Sequence, residues 1–189
     1  SFDNMKNIDK SLRSKMQKVF NISLPAIEKK EISDDGTIKY LFCLEDQSKI
    51  ETVFIPEEKR STLCISSQVG CTLNCSFCHT GTQKLVRNLS SQEIVGQVIA
   101  VYDDLGLWEK KRVNSSHSSC FEIITNIVFM GMGEPLLNYE EVKKACSILM
   151  DNKGLDFSRR RITLSTAGIV PKIKTVSYTH LTLPTNDLV

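Results

Sequence analysis

Three cysteines, Cys71, Cys75 and Cys78, lie close together in the sequence, spaced four and then three residues apart. Thiolates are common ligands for zinc and for iron–sulfur clusters, so one short loop here could bind a metal centre. Structural zinc usually joins two separated Cys-x2-Cys pairs, and this chain has no second pair. A cubane [4Fe–4S] cluster held by three cysteines leaves one iron open to a chelating cofactor. A zinc-binding module that also uses His79 is the alternative at this point.

Two further segments could contact a cofactor. Residues 130–135, Met-Gly-Met-Gly-Glu-Pro, follow an apolar run, and their glycines would let the backbone approach a ligand closely. The carboxylate of Glu134 could accept a hydrogen bond from an ammonium group. The hydroxyl of Ser165 could bond to a ribose or a carboxylate. Considered singly, these segments would be interpreted as a turn and a helix N-cap.

The elements that precede these residues predict a small N-terminal unit. Residues 1–20 place apolar side chains at three- and four-residue steps, which predicts an amphipathic helix packed on the rest of the chain. Alternating runs at 26–32, 37–44 and 49–55 are separated by turn residues and predict an antiparallel meander. Pro56 breaks the pattern, and we expect the unit to span residues 1–58.

From residue 59 onward the pattern alternates between strands and helices. Strands are predicted at 61–66, 122–130 and 161–165, the second one buried on both faces because it is almost continuously apolar. Helices are predicted from Ser90 or Ser91 to about 106 and over 138–150. This order predicts an α/β fold with a parallel sheet and with functional groups in the loops after the strands.

The spacing Cys71-x3-Cys75-x-Phe77-Cys78 resembles the signature of radical S-adenosylmethionine (SAM) enzymes. The flanking segments 63–71 and 87–89 resemble one branch of them, the RlmN family of adenosine-C2 methyltransferases. The resemblance extends from residue 1 to about residue 176. It implies a partial (β/α) radical SAM barrel, truncated after about three strands and preceded by a helix and a small antiparallel β extension. The core would span residues 59–175.

The resemblance also implies roles for individual residues. Cys71, Cys75 and Cys78 would hold the [4Fe–4S] cluster, whose open iron binds SAM. Gly133, Glu134 and Ser165 would contact SAM. Glu51 matches the position of the family's proton acceptor. Cys64 matches a cysteine that resolves a protein–RNA adduct and works with a methyl-carrying cysteine near the far C-terminus, and a disulfide bond is implied as well.

The reaction implied by the resemblance is methylation of carbon 2 of adenosine in 23S rRNA and tRNA. It would proceed through a methyl-cysteine and consume two SAM molecules per product, with flavodoxin or ferredoxin as electron donor and the enzyme as a monomer. A paralogue that methylates carbon 8 is the nearer alternative. Basic clusters that could hold RNA phosphates are 159–161, 110–112, and Lys84 with Arg87, of which Arg87 is the strongest candidate.

Composition limits the setting of this chemistry. The 189 residues carry a formal charge of +2 and 41% hydrophobic residues, values ordinary for a globular domain. No apolar run reaches the roughly 20 residues needed to span a bilayer, so we expect no membrane partner. Seven cysteines, an odd number, favour a reducing compartment, and we expect a cytoplasmic protein.

The two ends of the sequence lead to separate expectations. The chain begins with Ser1 within a helical pattern, which suggests that an N-terminal portion is absent. Residues 176–189 resemble the translation of a sequencing adapter, so we exclude them, including His180, from the site. No cysteine follows Cys146 to match the family's methyl-carrying residue. We therefore expect this chain by itself to be inactive.

Overall fold

The computed structural model describes residues 2–73, 75, 78–108, 124–169 and 173. The charged and serine-rich segment at 108–120, which we expect to form a variable surface excursion, lies outside these residues apart from Trp108. The adapter-like segment at 176–189 also lies outside them. The α-helices are α1 (Lys10–Val19), α2 (Ser91–Asp104) and α3 (Tyr139–Leu149). The β-strands are β1 (Ala26–Ile32), β2 (Ile38–Cys43), β3 (Lys49–Pro56), β4 (Ser61–Cys64), β5 (Gln68–Val69), β6 (Arg87–Asn88), β7 (Asn126–Phe129) and β8 (Ile162–Leu164).

Six of these strands form one mixed sheet in the order β1-β2-β3-β4-β7-β8. The first four pair antiparallel, whereas β4, β7 and β8 are parallel. The predictions of an α/β fold, an antiparallel meander and three parallel strands are confirmed. The meander and the core share the sheet, because β3 pairs with β4 directly across the 57–60 turn. The division at residue 58 stays a prediction.

The sheet has one covered face and one partly open face. On the covered face, Phe54, Leu63, Ile127 and Ile162 lie side by side in register and are buried in the same cluster as the apolar side of α2 and α3. On the other face, Val128 and its neighbours are only half-buried. The prediction that this strand is buried on both faces is wrong for β7, because the helices cover one face only.

Helix α2 begins as the sequence predicts. Ser90 is the N-cap, its hydroxyl accepts a hydrogen bond from the Glu93 amide, and the Glu93 carboxylate accepts one from the Ser90 amide. This reciprocal capping box satisfies two helix-end donors that would otherwise lack partners. At the other end of α2, Asp104 accepts hydrogen bonds from Tyr40 on β2 and Lys30 on β1. These bonds connect the meander to the helix.

Helix α1 differs from its prediction. None of its residues is buried, and Leu12 is 50% exposed, so its apolar side does not pack on the described domain. Its fixed contacts are polar instead: Arg13 donates to the carbonyl of Asp3 and Gln17 to the Asp3 carboxylate. The prediction of a packed amphipathic helix is therefore wrong in its packing. Within the described residues, no helix combines the length and apolar character needed to span a membrane.

The capping box gives a stability test. Replacing Ser90 with Ala should lower the free energy of unfolding by about 1 kcal/mol, because the α2 N-terminus loses its cap. Urea unfolding followed by circular dichroism would measure the change. Ser147→Ala is the matched control, since that hydroxyl bonds only to a carbonyl in the middle of α3. Equal effects of the two substitutions would contradict the assignment of the cap.

Candidate active site

Three segments at the carboxyl end of the parallel strands enclose a cavity of about 480 Å³. They are the cysteine loop, the loop after β7 and the loop after β8. This volume lies within the range of small-molecule sites. The structure thus brings together six of the eight candidate residues. The lining residues are Cys71, Leu73, Cys75, Cys78, Thr80, Phe129, Met130, Gly131, Gly133, Glu134, Ser165, Thr166 and Ala167.

The cysteine loop is folded back on itself by its backbone. Gly70 has a φ of +75°, and a Cβ there would lie 2.2 Å from the carbonyl oxygen of Lys84, so this turn needs glycine. The amide of Cys71 donates to Gln83, and the amide of Cys78 donates to the carbonyl of Cys75. These bonds hold all three cysteines at the wall of the cavity.

The three thiols match the ligand set of a cubane cluster. In the part of the chain that the structure describes, no three His, Cys, Asp or Glu side chains converge where one metal ion could be held. Three zinc ligands would have to meet within about 2.3 Å of one point. In a cubane, each cysteine instead binds its own iron, and the sulfurs stand further apart. Three half-buried thiols around one cavity therefore fit the [4Fe–4S] group that the sequence predicts.

The backbone of the loop after β7 is in close contact with the segment after β4. A Cβ on Gly131 would lie 2.7 Å from the Ser66 hydroxyl, and one on Gly133 would lie 2.4 Å from Cβ of Gln68. Gly133 also has a φ of +93°. The two glycines therefore allow a close approach of two backbones, in addition to leaving the ligand side open.

Glu134 is engaged within the protein. Its side chain is buried, and it accepts hydrogen bonds from the amides of Leu136 and Ala167 and from the hydroxyl of Thr166. A carboxylate has about four acceptor positions, so one remains for a ligand ammonium group. Glu134 thus ties the loop after β7 to the loop after β8. Sequence reasoning missed Thr166, whose role depends on this contact between distant segments.

Ser165 and Thr166 both line the cavity, but Thr166 is buried and its hydroxyl donates to Glu134. No hydrogen bond joins the Ser165 hydroxyl to another described residue, so the hydroxyl can serve a ligand.

Glu51 and Cys64 lie apart from the cavity lining, on the partly open face of the sheet. Val53 pairs with Cys64 across β3 and β4, and Glu51 is two residues from Val53, so all three side chains share this face. The Glu51 carboxylate forms an exposed ion pair with Lys39 at 2.7 Å. Cys64 is next to the cavity, because it pairs with Val128, and the two residues after Val128, Phe129 and Met130, line the cavity.

Burial raises the pKa of the Cys64 thiol to about 11, and the hydrogen bond from Met130 offsets only part of this effect. The group is therefore a neutral thiol at neutral pH. It would need to lose its proton before acting as a nucleophile.

Arg87 has a structural role that the sequence did not show. Its guanidinium donates to Glu93 and Asp46 and to the carbonyl of Asn88. The bonds to the Glu93 and Asp46 carboxylates raise its pKa. It therefore links the β2–β3 turn to α2 and is not a free cation for a phosphate, contrary to our interpretation. Lys84 and residues 159–161 are exposed, and residues 110–112 lie outside the described part.

Comparisons with known proteins decide the family. No protein-family model matches the chain. Dual-specificity RNA methyltransferases RlmN from Paracoccus denitrificans and Cereibacter sphaeroides are 55% and 54% identical over 172 residues, which is 91% of this chain. The chain belongs to the RlmN family. It spans 43% of the length of these curated relatives.

A solved structure agrees with this RlmN assignment. The crystal structure of a radical SAM methyltransferase from Sphaerobacter thermophilus superposes with a TM-score of 0.82 and 36% identity. The match covers 98% of this chain and 51% of that one. The predicted family and the partial radical SAM fold are thereby confirmed. The disulfide stays a prediction, since each of the six cysteines in the described residues is unpaired.

The close approach at Gly133 can be tested by adding one methyl group. Gly133→Ala should lower the free energy of unfolding by about 2 to 4 kcal/mol, because the new Cβ collides with Gln68 in addition to being strained at positive φ. Gly106→Ala is the matched control, since its φ is +61° and nothing lies within 4 Å of the added atom. Urea unfolding would compare them, and equal losses would show that the contact with Gln68 is unimportant.

The Cys64 pKa can be tested by alkylation. At pH 8 the native thiol should react with iodoacetamide about 100-fold more slowly than in the denatured chain, because far less of it is thiolate. Its rate should rise about tenfold per pH unit up to about pH 10. Peptide mass spectrometry would follow Cys64 separately from the other cysteines. A native rate that levels off near pH 8 would contradict the raised pKa.

Proposed function

We propose that this chain is the cluster-holding and SAM-binding portion of a radical SAM RNA methyltransferase. The observation that carries the proposal is the cavity at which the three cysteines, the Gly133-Glu134 loop and Ser165 meet. The printed names of the relatives, dual-specificity RNA methyltransferase RlmN, support the RNA substrate class.

The residues present have the chemistry that the two cofactors need. Cys71, Cys75 and Cys78 would each bind one iron and leave the fourth for SAM. The backbone at Gly133 and the remaining acceptor position of Glu134 would receive the amino group of SAM, and Ser165 would donate to its ribose or carboxylate. When bound, the reduced cluster supplies the electron that cleaves SAM homolytically to start the radical chemistry.

For the whole protein we propose methylation of carbon 2 of adenosine in 23S rRNA and in tRNA. Carbon 2 is an electron-poor amidine carbon and does not attack a sulfonium methyl group as an amine would, so a radical route is needed. A methyl-carrying cysteine and two SAM molecules per product complete the reaction. Within this chain, Glu51 would accept the proton from the adduct and Cys64 would resolve it.

The setting of the reaction follows from the same assignment. We propose a cytoplasmic monomer that receives its electrons from a flavodoxin or a ferredoxin. Lys84, an exposed cation whose backbone bridges to Cys71, is a described group that could meet RNA phosphates near the cavity. Residues 159–161 are also exposed cations, but they precede β8 and lie at the opposite end of the strands from the cavity.

The first test is cluster assembly. Anaerobic reconstitution of the chain with iron and sulfide should give a brown protein with about four iron atoms per chain, and added SAM should change the electron paramagnetic resonance (EPR) spectrum of the reduced cluster. Cys71→Ala, Cys75→Ala and Cys78→Ala should each abolish this signal, because each removes one ligand. Cys43→Ser, a half-buried cysteine outside the cavity, is the control. A colourless chain that retains zinc would refute the proposal.

The second test separates binding from turnover. The reconstituted chain should bind SAM yet transfer no methyl group to an RNA fragment, because no cysteine after Cys146 can carry the methyl group. Mass spectrometry of the digested RNA would measure this. Formation of 2-methyladenosine would contradict the expectation, and 8-methyladenosine would replace carbon 2 with carbon 8 as the target.

A further inference from the structure

We infer that Gln97 is a positioning residue for the candidate active site. Its buried side-chain amide bonds to β3 and to Ser66, in the segment after β4 that leads to the cysteine loop. Ser66 in turn bonds to the loop after β7. The inference rests on the proposed function, because it concerns how the SAM cavity and Glu51 are held in relation to each other. Gln97 is not among the residues that line the cavity, and its side-chain hydrogen bonds go to Thr52, Ser66 and Glu93.

Gln97 lies on the sheet-facing side of α2, where its neighbours Ile94, Val98 and Val101 are apolar and buried. Its own side chain is completely buried. The side-chain oxygen accepts hydrogen bonds from the Thr52 hydroxyl at 2.8 Å and from the Ser66 amide at 2.9 Å. The side-chain nitrogen donates to the Ser66 carbonyl at 3.0 Å. A polar side chain at this position is costly to bury unless it makes such bonds.

Ser66 passes this constraint to two site segments. Its hydroxyl donates to the carbonyl of Glu51 at 2.6 Å and accepts a hydrogen bond from the amide of Met132 at 2.9 Å. Gln97 therefore hydrogen-bonds to both the amide and the carbonyl of Ser66. The hydroxyl of the same serine bonds to the backbone of Glu51, the candidate base, and to the backbone of the loop after β7. Ser66 lies two residues after Cys64, the last residue of β4. The contacts of Ser66 therefore also hold the chain beside this candidate resolving cysteine.

The loop after β7 cannot adjust independently if Ser66 moves. A Cβ on Gly131 would already lie 2.7 Å from the Ser66 hydroxyl and 2.8 Å from the carbonyl of Ile65, so the two backbones are in close contact. A shift of Ser66 would therefore be transmitted to Gly131 and Met132 and on to Gly133, which lines the cavity. An apolar side chain at position 97 would also leave the amide and carbonyl of Ser66 without these partners.

The experiment compares two variants with a control on the same helix. Gln97→Met keeps the length of the side chain and removes its hydrogen bonds, and Ser66→Ala removes only the bridging hydroxyl. The control is Gln92→Met, the same change from glutamine to methionine on α2. Gln92 is exposed, its side-chain amide donates to Ser23, and it does not line the cavity. The chains are reconstituted with iron and sulfide, and the EPR response of the reduced cluster is titrated with SAM.

Gln97→Met and Ser66→Ala should keep their iron content and weaken SAM binding by about tenfold, while Gln92→Met matches the parent chain. Amide hydrogen exchange on the cluster-free chains gives a second readout. The Met132 amide should exchange about tenfold faster in Gln97→Met, although its hydrogen bond is to Ser66 and not to Gln97. A purely local role of Gln97 would leave that amide unchanged.

The two readouts separate this inference from the proposed function. A parent chain whose cluster ignores SAM would overturn the proposed function, and the exchange rates would still decide the coupling. Unchanged exchange at Met132 in Gln97→Met would overturn the inference, as would SAM binding by both variants within twofold of the parent. If Gln97→Met does not fold, Ser66→Ala alone decides: parent-like SAM binding refutes the inference, and weakened binding supports it.

Discussion

The candidate active site depends on the contact between the loop after β7 and the segment after β4. The two backbones are bonded at several points: the amides of Ser67 and Gln68 donate to the carbonyl of Met132, and the Glu134 amide donates to the Gln68 side chain. Only glycine fits at the closest approach, at residues 131 and 133. This contact fixes one wall of the cavity relative to the segment that leads into the cysteine loop.

The remaining wall is attached by the same kind of polar contact. Glu134 accepts hydrogen bonds from Thr166 and Ala167, so the loop after β8 is held by a carboxylate that itself belongs to the loop after β7. The three segments are therefore linked in series, mainly by buried hydrogen bonds. Removal of one buried partner leaves the other unsatisfied, which makes such a series sensitive to single substitutions.

The sequence predicted the parts that depend on local patterns. Alternation located the meander, the serines at 90 and 91 located the start of α2, and the cysteine spacing located a loop that lines the cavity. It did not predict the β3–β4 pairing, the exposure of α1, the internal pairing of Arg87 or the functions of Gln97 and Thr166. Each of these depends on contacts between residues far apart in the chain, and a glutamine among apolar helix residues shows no sign of which backbone groups it will bind.

The candidate residues lie at two places on the sheet, one at the ends of the parallel strands and one on its partly open face. The cavity at the strand ends holds the residues suited to the cluster and SAM, while Glu51 and Cys64 lie on the partly open face beside it. Cys64 has Val53 and Val128 as its strand partners, and this burial keeps its sulfur protonated at neutral pH. Cys64 is thus separated from the three thiols of the cavity lining by its place within β4, between two apolar strand neighbours.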